Sequence, residues 1–345
     1  MHLCRRFSLS LLISLGLLGQ AGSLFPAEPA GLQASADPAP ASAPTPAPDG
    51  KPLAIKYKGL VYAIVEGQEL KLDLILPPAE ETPPAAPKLP VLVWIHGGGW
   101  REGNRGFTPL SSLAHDGYAV ATIDYRFVQK AVFPAQIQDC KAAVRWLRAH
   151  ATEYNLDPDR IAAAGESAGG QLAALLGTSG GVPELEGAEG NPDFSSRVQA
   201  VLDLCGPADF LAPDTDTPQV ASLMSSGNQK DMAAARQILG RQIIMSGLFG
   251  GPVAEHQEMA RLASPIAHIT QDDPPFFIVH GNRDFLVPYA QSVALQEKLA
   301  AAGIEAELET VEGAGHGFGK LKPAIMAKVQ AFFEKNLKNR APVAH

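Results

Sequence analysis

Cysteine is scarce in this chain: three residues among 345, at positions 4, 140 and 205, which excludes a disulfide-stapled scaffold. Histidines that could complete a metal site are not clustered either. His115, His150, His256 and His268 stand at no metal-ligand spacing, so no metal is expected. Blocks of basic residues are missing too. Lys and Arg number 28 against 36 Asp and Glu, a net charge of −8, and a chain of that balance without a cationic patch is not expected to take nucleic acid as a partner. No glycine-rich phosphate loop of the P-loop kind occurs, and no cofactor is implied.

A long apolar run is also lacking. Phe7–Leu18 is broken only by serines and a glycine, and it falls short of the roughly 20 residues that a helix needs to span a bilayer. With Arg5-Arg6 before it and small residues around Ala21 and Ala27 after it, residues 1–27 have the layout of a secretory signal. The expectation is an exported protein, secreted or facing the periplasm or envelope, with no integral membrane span in the mature chain; a retained anchor is the alternative. Cys4 precedes the apolar run, on the wrong side for lipid attachment. Cys140 shares an apolar helical stripe with Ile137, Val144 and Leu147, and Cys205 ends an apolar strand. Both read as small buried hydrophobes, a Cys140–Cys205 disulfide being the other possibility.

What the chain does have is punctuation. Residues 28–50 are nearly all Ala, Pro, Ser, Asp and Thr, a composition that buries too little apolar surface to offset ordering entropy and reads as a semi-rigid tether. The catalytic-sized domain spans 51–338, with a short tail at 339–345. It opens with an expected hairpin, Tyr57–Val65 and Glu69–Leu76 about Glu66-Gly67-Gln68, followed by a proline-rich loop, Pro77–Lys88. A strand and helix beat follows: Val91–Ile95, a short helix near Pro109–Asp116, Tyr118–Asp124, Pro134–His150, Arg160–Ala164 and the helix after Ser167. It resumes with Val198–Leu204, Phe276–Val279, Pro288–Ala302, Glu305–Val311 and Lys320–Leu337, the last carrying Met326, Val329, Phe333 and Leu337 on one side. Such alternation specifies a mainly parallel sheet with helices on both faces. The beat pauses over about 207–263, where a helix is expected around Asp231–Ile244 with Ala235, Ile238, Leu239 and Ile243 at helical spacing.

Chemistry concentrates in four segments. Gly165-Glu166-Ser167-Ala168-Gly169 lies between an apolar strand and a small-residue helix, a turn that lifts a serine hydroxyl out of a sheet. His96-Gly97-Gly98-Gly99-Trp100 ends an earlier strand. Asp284 lies in the loop after Phe276–Val279, ahead of Val287-Pro288, and His316 sits in Gly313-Ala314-Gly315-His316-Gly317-Phe318. Ser, Asp and His in that order, each past a strand, is the triad order of the α/β-hydrolases.

With Asp124-Tyr125-Arg126, these residues make the chain resemble α/β-hydrolases of the esterase and lipase group from roughly Lys51 to Leu337. It is most similar to hormone-sensitive-lipase-like carboxylesterases and to carbohydrate esterases of the feruloyl and acetyl-xylan type. Glu166 departs from the aspartate that many lipase-like relatives carry. The resemblance implies the α/β-hydrolase fold with a helical lid-like insertion over 207–263, the alternative for that segment being a helical excursion that touches no substrate.

The same resemblance implies Ser167 as nucleophile, His316 as its base and Asp284 as the acid that orients the imidazole, with Asp209 the rival acid and Asp203 structural. It implies an oxyanion hole from the amides of Gly98, Gly99 and Ala168, and His96 as a brace for that loop. Trp100 either walls the substrate pocket or simply packs. Glu166 and Asp124-Tyr125-Arg126 are expected to support the site, and Arg283, Asp272 and Asp273 to be solvated loop charges. The expected partner is a small-molecule or polysaccharide ester, acetyl or feruloyl esters among them. An amide-cleaving relative, arylformamidase-like or peptidase-like, and a non-catalytic binding module are the other readings. The residues specify no oligomeric state.

Overall fold

A hairpin begins the sheet. β1 (Ile55–Val65) and β2 (Gln68–Leu76) pair antiparallel about Glu66 and Gly67, whose φ angles of 50° and 81° give the two-residue turn that matches strand twist. The computed structural model describes residues 54–78, 87–212 and 217–339, all within the unit Thr45–His345. The expected signal and tether, the middle of the Pro77–Lys88 loop and all but the first residue of the 339–345 tail lie outside the described residues.

Next come β3 (Leu89–Ile95), a 3-10 turn over Ser111–Asp116, β4 (Ala119–Ile123), α1 (Ala135–Ala149), β5 (Leu156–Glu166) and α2 (Ala168–Thr178). A short α3 (Pro183–Glu186) precedes β6 (Ala200–Leu204). The insertion holds α4 (Thr217–Ser225), α5 (Gln229–Phe249) and α6 (Gln257–Ala263), and β7 (Phe276–Gly281), α7 (Ala290–Ala301), β8 (Ala306–Val311) and α8 (Pro323–Phe333) complete the chain. The strands form one sheet in the order β1-β2-β4-β3-β5-β6-β7-β8. β2 joins β4 antiparallel, and every pair from β4 onward is parallel.

Both faces of the sheet are covered, and the strand period shows how. On β3, Val91, Val93 and Ile95 enter one hydrophobic cluster with α1, α2 and α7. Leu92 and Trp94 enter a second, with Leu110, Leu113 and α8. β7 divides the same way: Phe276 and Ile278 face the first cluster, Phe277 and Val279 the second. Each such fully buried side chain contributes roughly 1.5–3 kcal/mol, which is why these strands read as unbroken apolar runs.

The expected stripe on α1 is present, with Ile137, Cys140, Val144 and Leu147 all buried. Asp139, Lys141 and Arg145 are buried beside it. Arg126 answers Asp139 at 2.6 Å, and Glu186 on α3 takes the Lys141 ammonium at 2.5 Å. α8 ends sooner than the expected Lys320–Leu337 helix and widens into a π turn over Glu334–Lys338, while Val329, Phe333 and Leu337 stay buried as expected.

Candidate active site

Ser167 stands between β5 and α2 with φ 58° and ψ −119°, a conformation that costs a residue other than glycine about 1–3 kcal/mol. The surroundings over-determine it. Its N–H donates to the Leu204 carbonyl at 2.8 Å, and its own carbonyl accepts from Gln171 at 3.0 Å. A Cβ on Gly169 would lie 2.0 Å from the Ile95 carbonyl oxygen, so only glycine lets α2 start this close to the end of β3.

Asp284 and His316 follow β7 and β8, which places all three expected triad members at the carboxyl edge of the parallel sheet, where open α/β sheets hold their ligands. His316 Nε2 is 2.7 Å from Ser167 Oγ and its Nδ1 is 2.6 Å from Asp284 Oδ2. The other carboxylate oxygen, Oδ1, accepts the backbone N–H groups of Leu286 and Val287 at 2.9 and 2.8 Å. Burial pushes the Asp284 pKa up, but hydrogen bonds from His280 and His316 outweigh it and hold the carboxyl down at about 2. An ionised Asp284 only accepts, so the Nδ1 hydrogen of His316 points to it and the Nε2 lone pair is left to receive the Ser167 O–H. Glu166 ties the serine turn to the histidine loop, its Oε2 accepting the Phe318 N–H at 3.0 Å.

The glycine loop after β3 is braced from below. Gly98 has φ 114°, and its carbonyl accepts from Arg101 and Glu102 at 3.1 and 3.2 Å, so across the planar trans peptide the Gly99 N–H faces the opposite way. Ala168 opens α2, where an N–H has no acceptor within the helix. Gly99, Ala168 and Ser167 border one cavity. His96 is buried, with Nδ1 2.8 Å from the Gly97 carbonyl and its ring stacked on Tyr125 at 4.5 Å; the Tyr125 hydroxyl donates to the His96 carbonyl at 3.0 Å. Burial lowers the His96 pKa. It touches the loop and not the triad.

The expected supporting charges find partners. Asp124 accepts the Arg105 N–H at 3.0 Å and pairs with its guanidinium; Arg126 pairs with Asp139. Asp203 is buried and accepts the Gly206 N–H at 2.8 Å, while the rival acid Asp209 turns back to the Leu211 N–H at 2.8 Å. Arg283 is exposed. Asp273 is not the solvated loop charge expected: it is 9% exposed and accepts the Thr270 N–H and hydroxyl, both at 2.9 Å, because its short turn folds back onto its own carboxylate. Asp272 is exposed but paired with Arg197 at 2.7 Å.

The cavity measures about 710 Å³. Trp100 does both things left open for it: it lines the cavity, and it is buried with its indole N–H on Gln171 Oε1 at 3.0 Å. The insertion forms part of the wall through Ile244 and Met245. Ile244 lies against the glycine loop, its Cγ2 3.0 Å from where a Cβ on Gly99 would stand. The expected apolar stripe of α5 holds only in part. Ala235 and Ile238 are buried, whereas Leu239 and Ile243 are 45% and 66% exposed, since the helix meets the main hydrophobic core only toward its C-terminus, through Ile244, Met245, Leu248 and Phe249.

Cys140 and Cys205 are free, buried thiols. Cys205 has a φ of 50° and, with Asp284 and His316, brings one metal-ligand atom each to within 4.8 Å of one another. Asp284 and His316 are already engaged with each other there. Two further residues reach the site unannounced by any motif. His280, buried on β7, has Nε2 3.2 Å from Asp284 Oδ2, and Ser292 on α7 has its hydroxyl 2.6 Å from His280 Nδ1. The spacing of four between His280 and Asp284 was the one signal available.

Comparison with known proteins agrees with this architecture. The BD-FAE family model matches residues 72–299. Esterase LipC of Mycobacterium tuberculosis is 34% identical over 240 residues, 68% of this chain and 54% of LipC. The chain spans about half the length of the curated relatives it matches. Among solved structures, a truncated carbohydrate esterase from gut microbiota has a TM-score of 0.65 at 28% identity, covering 85% of this chain and 99% of that one. Native esterase Est2 of the planctomycete Thermogutta terrifontis has a TM-score of 0.62 at 26% identity, covering 83% and 94%. The chain belongs to the BD-FAE family and has the α/β-hydrolase fold of its esterase relatives.

Proposed function

We propose that the protein hydrolyses carboxylic esters through an acyl-enzyme, with Ser167 as nucleophile, His316 as general base and acid, and Asp284 as the residue that fixes the imidazole. The observation that carries the reading is the continuous hydrogen-bond chain from Ser167 Oγ to His316 at 2.7 Å and on to Asp284 at 2.6 Å, opening on the cavity. Ser167 Oγ attacks the ester carbonyl carbon while its proton passes to His316 Nε2; the carbonyl π electrons move to oxygen and form a tetrahedral oxyanion. The N–H groups of Gly98, Gly99 and Ala168 receive that charge, each such donor being worth roughly 10² to 10³ in rate. Collapse expels the alcohol, which takes the proton from His316. Water, deprotonated by the same imidazole, then attacks the acyl-serine, and a second collapse releases the carboxylic acid and returns Ser167 to its hydroxyl.

The acyl side is suited to an apolar or aromatic group, bordered as the cavity is by Trp100, Phe210, Ile244 and Met245; Asp209 and Gln257 offer polar contacts for a hydroxylated alcohol. That lining and the likeness to a carbohydrate esterase support acetyl or feruloyl esters of polysaccharides as substrates. The Arg5-Arg6 and Phe7–Leu18 pattern supports export to the periplasm or medium. The test is hydrolysis of p-nitrophenyl esters from acetate to decanoate, with acetylated xylan and methyl ferulate, by wild type and Ser167→Ala. Ester turnover that vanishes in the variant is expected. Wild type inert on every ester but active on formamides or peptides would overturn the reading.

A further inference from the structure

The Asp284 carboxylate has one more donor than the proposed chemistry uses. His280 is 0% exposed, and its Nε2 faces two acceptors, Asp284 Oδ2 at 3.2 Å and the Val287 carbonyl at 3.0 Å. Two acceptors on one nitrogen require that nitrogen to carry the hydrogen. In the neutral ring Nδ1 is then an acceptor, and the Ser292 hydroxyl lies 2.6 Å from it with a proton to give. The two acceptors at Nε2 set the hydrogen there, and the Ser292 contact holds the ring's other end in place. Asp284 Oδ2 therefore receives two imidazole N–H groups, one from His316 on the substrate side and one from His280 on the core side, while Oδ1 is filled by Leu286 and Val287.

We propose that His280, locked by Ser292, is a positioning residue that keeps the Asp284 carboxylate ionised and aimed at His316; the inference rests on the triad reading above. Desolvation alone would push Asp284 toward its neutral form, and the His280 hydrogen bond is foremost among the interactions that reverse it. A protonated Asp284 could offer Oδ2 as a hydroxyl donor and no longer define which nitrogen of His316 carries hydrogen. Without His280 the Asp284 charge is shared with one donor fewer and holds the imidazolium of His316 more tightly, so the general base stays protonated to a higher pH and the acid limb moves up with it. The other titratable groups around the ring are Asp203 on β6, whose charge acts on His280, Tyr289, which meets the ring edge-on at 5.8 Å, and Cys205 and Glu166, placed close to the Asp284 side.

The experiment compares kcat, KM and the pH profile of kcat/KM on p-nitrophenyl acetate for wild type, His280→Leu, His280→Gln, Ser292→Ala and Asp203→Asn. His280→Leu removes the donor at similar volume. Its kcat is expected to fall roughly tenfold to a hundredfold, as when a partner that orients a functional side chain is lost, with KM within about twofold and the acid limb moved up by about one pH unit. His280→Gln places an amide N–H where Nε2–H was and restores most of both. Ser292→Ala gives a smaller loss in the same direction and reads the idea independently should the leucine variant not fold. Asp203→Asn leaves the limb in place. The proposal is overturned if folded His280→Leu or Ser292→Ala keeps the wild-type limb, if glutamine is no better than leucine, or if Asp203→Asn alone moves the limb. Activity in wild type that depends on Ser167 separates any of these failures from a failure of the esterase reading.

Discussion

Two neighbouring strand ends are built alike and behave differently. β5 and β6 are in register at Glu166 and Leu204, and one residue further each chain turns into positive φ, 58° at Ser167 and 50° at Cys205. Both residues carry a side chain capable of nucleophilic attack. The serine has an imidazole nitrogen at 2.7 Å. Cys205 is wholly buried, and desolvation together with the charges of Asp284 and Glu166 pushes its thiol well above the usual range, away from the thiolate that would react. Backbone strain presents a side chain, whereas the proton acceptor beside it decides what that side chain can do.

The comparison breaks if the thiol can stand in for the hydroxyl. Ser167→Ala is expected to lower kcat by on the order of 10⁶; residual ester hydrolysis that disappears on further replacing Cys205 would contradict it. Asp284→Asn keeps the shape but loses the charge that selects the His316 tautomer, for a loss on the order of 10⁴, read in the same assay. A serine-directed phosphonate should add one equivalent by intact mass to wild type and none to Ser167→Ala, while iodoacetamide leaves Cys205 unlabelled until the protein is unfolded.

Two buried carboxyls near these strand ends sharpen it by titrating in opposite senses. Asp203 is pushed up to about 6 by burial, above the roughly 3.9 of an unfolded chain. Between those values the native state holds the proton more tightly, so stability falls as pH rises from about 4 to 6 and stays low above it. Asp203→Asn should remove that slope and raise stability at pH 7 by roughly 2–3 kcal/mol, measured by urea unfolding at a series of pH values. Asp284 is depressed to about 2, so its contribution is present above about 4 and is lost as pH falls toward 2. The smallest effect belongs to Cys205→Ala, which keeps the Cβ and deletes only a buried sulfur: activity within about threefold and stability lower by about 1 kcal/mol.

The sheet was legible because strands buried on both faces, such as Val91–Ile95, carry their burial in their composition. The Ser167 turn was legible because a side chain presented on a strained bend needs glycine nearby at Gly165 and Gly169. His280 was not, since a histidine inside an apolar strand looks the same whether or not an aspartate waits four residues on, and its contact with Ser292 depends on how α7 settles against β7. The buried Asp139, Lys141 and Arg145 escaped for a related reason: Arg126 and Glu186, which neutralise them, come from a loop and from the short α3, which only tertiary folding brings near. On α5 the helix itself was visible from its spacing, but helical spacing alone could not tell Ile243, facing water, from Ile244, facing the cavity.

That adjacency has a practical side. Ile243 and Ile244 are consecutive residues on one helix, yet the first is 66% exposed and the second lies against the glycine loop at Gly99. Someone purifying the protein and meeting self-association can exchange Ile243 for lysine or glutamate without altering the lining, whereas someone seeking a roomier or tighter cavity would work on its neighbour. Handling and selectivity can thus be engineered separately, one peptide bond apart.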